Sequence, residues 1–169
     1  KHFCDFYINY HNHFEKKKIS QKMLKNKTKL LLGEKFTLLG NTSKKINKNN
    51  TKKNEFIYFG SADKQNIMFK ILKQINNDIF KKMNFKVLLS ENKHRNSIIR
   101  YLGNKKNFKI LKKTENIVRY FKYIDNVISA GGVTMYEQLC YGFKPIIVPQ
   151  NSNQLKITKI KEKEKLINL

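Results

Sequence analysis

At 169 residues, 40% hydrophobic and 12% aromatic, the chain can bury a real core, as one domain or one and a half small ones. No apolar run approaches the roughly 20 residues of a membrane-crossing helix, and no signal peptide opens the chain. A net charge of +24 and a pI near 10.0 raise nucleic acid or anionic membrane as partners. The lysines, however, are spread along the whole length among Asn and Ile, the pattern of compositional bias on solvated faces. No RNA-binding aromatic signature, zinc-finger spacing or basic-region heptad accompanies them, so no specific nucleic-acid partner is expected.

Lys1 leads directly into strand-like residues without an initiator Met, which points to a chain that starts inside a larger protein. Cys4–Ile8 reads as a short strand, and Ile19–Lys29 as a polar helix or irregular segment. Lys29–Leu32 and Phe36–Leu39 are apolar runs separated by Gly33-Glu34. Residues 41–54, NTSKKINKNNTKKN, have almost no apolar content and read as a linker. Residues 1–40 therefore form one region, and 55–169 a second. His2, His11 and His13 lie close in sequence, but no Cys or carboxylate pattern completes a metal site with them, and none is expected. Cys4 and Cys140 are too few and too far apart for a disulfide framework, which fits a reducing, cytoplasmic setting. Cys140, beside Leu139 in a helical pattern, is expected to be buried.

After the linker, strand and helix alternate. Phe56–Phe59 reads as a strand and Gly60-Ser61-Ala62-Asp63 as a turn. Ile67, Ile71, Ile75 and Ile79 recur at helical spacing, which predicts a helix over Asn66–Lys81. Phe85–Leu89 is a second strand, and Lys93–Leu102 a helix with Ile98, Ile99 and Leu102 inward. Phe108–Leu111 is a third strand and Ile117–Ile124 a short helix. Asn126–Ser129 is a fourth, Ile146–Val148 a fifth, and the lysine-rich tail is helical. This order predicts an α/β fold, a Rossmann-like parallel sheet with helices on both faces. Ligands of such sheets sit outside the carboxyl ends of the strands. Three loops meet that condition: Gly60–Asp63, Ser129–Thr134 and Pro149–Asn153.

The most informative stretch is Ser129–Gly142. Gly131-Gly132 lets backbone approach a ligand closely, and the helix that follows offers unpaired N–H groups with partial positive charge, suited to phosphate. Thr134 opens the helical pattern, and Glu137 on its first turn could accept hydrogen bonds from a sugar diol. The same two residues, Thr134-x-x-Glu137, also spell a capping box that requires no ligand.

The segment Ser129-Ala130-Gly131-Gly132-Val133-Thr134-Met135-Tyr136-Glu137, with Gly142, Pro145, Val148-Pro149 and Asn153-Gln154, resembles the C-terminal nucleotide-binding domain of GT-B enzymes, including glycosyltransferase family 28. The SAGG-x-T-x-x-E form, with Leu31–Leu39 upstream, is most similar to the bacterial UDP-sugar hydrolases of pseudaminic acid biosynthesis, which act on a UDP-diacetamido-trideoxy sugar. The resemblance implies the C-terminal half of a GT-B fold, with residues 1–40 a remnant of the N-terminal domain and the nucleotide domain incomplete at its end. It also implies a UDP-sugar substrate, no cofactor and no metal.

On that resemblance, Gly131, Gly132, Val133 and Thr134 would hold the diphosphate, and Glu137 the ribose. Gly60 and Ser61 would form the first phosphate loop. Gln150, Asn151 and Gln154 would face the sugar or phosphate, and Lys113-Thr114 would border the uracil. The departures are specific. The Gly-rich loop with the catalytic His has no counterpart in this chain, His94 included, so no residue present is assigned as catalytic. Gly40 stands where relatives carry Arg, and Ser61 where they carry a second glycine. Hydrolase, transferase and inactive binding module all stay open on this resemblance.

Overall fold

The computed structural model describes residues 4–10, 28–39, 53–60, 63, 65–75, 82–89, 91 and 93–169. The expected linker therefore lies largely outside the described residues, as do His2, His11, His13, Ser61 and Ile79. The chain divides into two units, Lys1–Leu39 and Gly40–Leu169. In the first, β1 (Phe6–Asn9) pairs in parallel with β2 (Lys29–Leu32). The Thr28 hydroxyl donates to the Cys4 carbonyl at 2.7 Å and ties the two strand starts together. Gly33, at φ 103°, then turns the chain into a single 3₁₀ turn at Glu34–Phe36, at the break expected between the two apolar runs.

The second unit alternates strand and helix: β3 (Asn54–Tyr58), α1 (Ile67–Gln74), β4 (Asn84–Leu88), α2 (Arg95–Leu102) and β5 (Phe108–Leu111). A 3₁₀ helix (Ile117–Tyr123) leads to β6 (Asn126–Ser129), α3 (Val133–Cys140), β7 (Ile146–Ile147) and α4 (Ser152–Lys163). The sheet order is β5-β4-β3-β6-β7, with every pair parallel. Counted along the chain this is 3-2-1-4-5, the order of a doubly wound Rossmann-like sheet. Asn168 then bridges in parallel to Ile146, extending the same progression past β7.

Both faces of the sheet are covered, as the apolar strands require. On one face Ile57, Phe59, Phe85 and Val87 pack against Met68 and Leu72 of α1 and Ile98 and Leu102 of α2. On the other, Phe56, Leu88, Leu111 and Val127 pack against Ile117, Val118 and Phe121 of the 3₁₀ helix, with Tyr141 and Phe143 beyond α3. Phe121 meets the rings of Phe56, Tyr141 and Phe143 edge-on at 5.1–5.9 Å, the preferred aromatic geometry.

Several sequence expectations are corrected. The short helix expected at Ile117–Ile124 is a 3₁₀ helix over Ile117–Tyr123; Asn116 caps it by accepting from the Val118 N–H. Ile99 points outward, 36% exposed, because α2 turns Ile98 and Leu102 to the core. Cys140 is exposed rather than buried, since α3 buries Met135, Tyr136 and Gln138 instead. Among the described residues, no helix is long and apolar enough to cross a membrane.

Candidate functional site

The sheet order reverses between β3 and β6, and the crevice at their carboxyl ends is the place where such sheets hold ligands. A cavity of about 290 Å³ occupies it, lined by Tyr58, Phe59, Gly60, Ala130, Gly132, Val133, Thr134, Gln150 and Gln154. The loops after β3, β6 and β7 thus contribute together, and Gly60, Gly132, Val133, Thr134, Gln150 and Gln154 share one wall-to-wall space.

The glycines divide the work. Gly60 sits at φ 77°, a conformation that favours glycine, and a side chain there would meet nothing within 4 Å. Gly132 likewise has open space around it. Gly131 is different. A Cβ on it would lie 2.7 Å from Thr158 Cγ2 and 3.3 Å from Gln154 Cβ, so it is the glycine that lets α4 pack closely against the β6–α3 turn.

The helix starts around the cavity are not alike. Asp63, 2% exposed, accepts from the Ile67 and Met68 N–H groups at 2.8 and 2.9 Å and closes off the start of α1. Asn151 accepts from the Gln154 N–H at 2.9 Å and caps α4. The N-cap of α3 is Gly132, in extended backbone, and no side chain caps it. The capping-box reading of Thr134 and Glu137 is therefore overturned. Both lie inside α3, too far along for Thr134 to reach back over the first turn. The first N–H groups of α3 carry the helix's positive end toward the cavity wall formed by Gly132, Val133 and Thr134.

The loops are stapled to one another by amides. Gln150 donates through Nε2 to the Phe59 carbonyl at 3.1 Å and to Asp63 Oδ1 at 3.3 Å. The Gln150 N–H donates to Gln154 Oε1 at 2.8 Å, and Gln65 Nε2 donates to the Gln150 carbonyl at 3.4 Å. Below them Ser129 Oγ donates to Gln138 Oε1 at 2.9 Å, both residues fully buried, which anchors α3 to the end of β6.

The remaining sequence candidates lie around the rim. Glu137 is half-buried on α3, and its charge reaches Tyr58, whose phenol is pushed above its ordinary 10.0 chiefly by burial and then by Glu137. Asn151 is exposed and engaged in its cap, off the cavity lining. Thr114 lies on the loop after β5, where its hydroxyl bonds to the backbone of Asn116, and Tyr120 holds the same loop by donating to the Lys112 carbonyl at 2.7 Å. Ala130 lines the cavity from within the expected Ser129–Thr134 loop, whereas Tyr58 and Phe59 line it from the end of an apolar strand. A Tyr at the end of an apolar strand gives no signal of its own; only its position just before Gly60 could have suggested it.

No family model matches the chain. It is similar to the spore coat polysaccharide biosynthesis protein SpsG of Bacillus subtilis, 27% identical over 104 residues, covering 60% of this chain and 31% of that protein. It is also similar to the uncharacterized protein MJ1062 of Methanocaldococcus jannaschii, 30% identical over 141 residues, covering 76% of this chain and 29% of that protein. The chain thus spans less than a third of the length of either relative. Among solved structures it is similar to MurG of Acinetobacter baumannii, with a TM-score of 0.47 and 17% identity over 67% of this chain and 35% of that one.

Proposed function

We propose that this chain is the nucleotide-sugar-binding part of an enzyme of surface-glycan biosynthesis that hydrolyses a UDP-activated sugar and releases UDP. The sugar expected from the resemblance is a diacetamido-trideoxy sugar of the pseudaminic acid route. The observation that carries the reading is the start of α3. Around the cavity, α1 is closed by Asp63 and α4 by Asn151, while α3 has no side-chain cap and opens into the space. A diphosphate placed there receives the N–H groups of Val133 and Thr134, and the Thr134 hydroxyl can add a further donor. The polysaccharide-biosynthesis name of the Bacillus subtilis relative supports the sugar side of the reading.

The chemistry that follows is leaving-group stabilisation. As the bond between sugar and diphosphate breaks, negative charge grows on the phosphate, and N–H groups already aimed at it favour that change. Gly60 and Ser61 would flank the diphosphate, Glu137 would accept from the ribose, and the Lys113-Thr114 backbone would border the base. Gln150 and Gln154 would face the sugar side, with Asn151 holding α4 in place behind them. None of the residues lining the cavity is a His, Asp or Glu. That holds among the described residues, no residue is assigned as the base, and transfer to a sugar acceptor is the second reading the same geometry serves. An inactive UDP-binding module is the third.

Calorimetric titration with UDP tests the reading. The parent binds, and Glu137→Ala weakens binding by about 1–3 kcal/mol, the range for a lost hydrogen bond to a charged group. A folded parent that shows no heat with UDP refutes the proposal. With the full-length protein, UDP release in water without any acceptor separates hydrolysis from transfer.

A further inference from the structure

Tyr58 is the last residue of β3, one place before Gly60's neighbour Phe59, and it lines the cavity. It pairs in register with Ser129, and Ser129 is bonded to Gln138 of α3. Its ring lies 6.2 Å from that of Phe56, two residues back on the same face of the sheet, the face covered by the 3₁₀ helix. Tyr58 and Leu88 follow the paired Ile57 and Val87, and Leu88 is in turn paired with Leu111. Ser129, Tyr58, Leu88 and Leu111 therefore form one row across the carboxyl end of the sheet. The row starts beneath α3 and ends where the loop carrying Lys113 and Thr114 begins. Tyr58 is its one phenol.

We propose that the Tyr58 hydroxyl is a second ribose-recognition group, acting beside Glu137 on the diol of the bound nucleotide, so that the pair selects ribonucleotides. This rests on the UDP-site reading above. The chemistry is complementary. A carboxylate only accepts hydrogen bonds, whereas a phenol can also donate, so the two together satisfy a hydroxyl both as donor and as acceptor. A phenol keeps its proton throughout the neutral range and so stays a donor there, and burial and then the Glu137 charge shift it in the same direction. The ring packs against Phe56 and fixes the hydroxyl on a strand end rather than on a loop.

The experiment compares UDP, 2′-deoxy-UDP and 3′-deoxy-UDP with the parent and with Tyr58→Phe, which keeps the ring and its packing. The expected result is that Tyr58→Phe loses about tenfold in UDP affinity, the scale of one hydrogen bond to a polar group in a shielded site. One of the two deoxy nucleotides then binds parent and variant within about twofold, because the group Tyr58 contacts is already missing. Equal losses for all three nucleotides, or no loss for any, overturn the inference while leaving the UDP site standing. A parent that binds none of the three overturns the UDP site and this inference with it. Glu137→Ala, measured alongside, shows whether the deoxy pattern belongs to Tyr58 or to the carboxylate alone.

Discussion

The two ends of the five-stranded sheet each carry a cavity, and the larger one has the poorer chemistry. At the amino ends, about 420 Å³ is lined by Ile71, Ile75, Met83, Phe85, Ile128 and Ile146 together with Glu55, Gln74, Asn126, Lys144 and Asn168. At the carboxyl ends, about 290 Å³ is lined by two glycines, an uncapped helix start and a set of amides already aligned by one another. The difference follows from chain direction. In a parallel sheet every helix begins near the carboxyl end of the strand before it, so positive helix ends gather there. At the other end helices finish, and their partial charge is negative. Volume measures space, while the direction of the backbone decides what that space can hold.

The largest expected effect comes from removing the group that makes the α1 and α3 starts unlike. Asp63→Ala strips two N–H groups of α1 of their carboxylate and frees the Gln150 amide from one of its partners. Stability should fall by about 2–3 kcal/mol, as for a charged cap removed from a buried site, measured by denaturant unfolding. The variant would also leave α1 open as a second anion site. If phosphate or UDP then restores stability more in Asp63→Ala than in the parent, the capped and open helix starts differ for the reason given. Equal stabilisation would break the contrast.

A somewhat smaller effect is expected at Gly131. Adding one methyl places it 2.7 Å from Thr158 Cγ2, within two fully packed elements, and overpacking of this kind costs about 1–3 kcal/mol. Thr158→Ser removes that methyl and keeps the hydroxyl that donates to the Leu155 carbonyl. The double variant Gly131→Ala/Thr158→Ser should regain most of the loss in thermal or denaturant unfolding. If it regains none, the glycine serves the turn itself rather than the approach of α4.

Much of the architecture was legible because its signals are periodic. The apolar runs at Phe56, Phe85, Phe108, Asn126 and Ile146, separated by helical patterns, gave a parallel sheet with helices on both faces, and that is the fold. What escaped depends on single backbone angles and on which way one residue turns. Thr134-x-x-Glu137 has the letters of a capping box, yet Gly132 takes the extended N-cap conformation two residues earlier and moves both side chains into the helix. Ile99 and Cys140 sit beside core residues in sequence, and a rotation of about 100° per residue carries them outward. Gly131 and Gly132 look identical in the sequence, and only the position of Thr158, 26–27 residues on, tells the packing glycine from the open one. Tyr58 was hidden in the same way, inside an apolar run that reads as core.

The smallest expected effect lies at the amino ends and serves as the control for the whole contrast. Asn126 donates through Nδ2 to Glu55 Oε1 at 2.7 Å, and Glu55 is only 5% exposed at the edge of the larger cavity. Asn126→Ala removes that donor and should cost about 1 kcal/mol in unfolding, the net value of one hydrogen bond, because water can enter a cavity of this size and take its place. UDP affinity should stay within about twofold of the parent, since the helix starts and loops that face the other cavity are untouched. A variant of unchanged fold that loses UDP binding would place the ligand, or a route to it, at the amino ends, and chain direction would then no longer explain which cavity carries the chemistry.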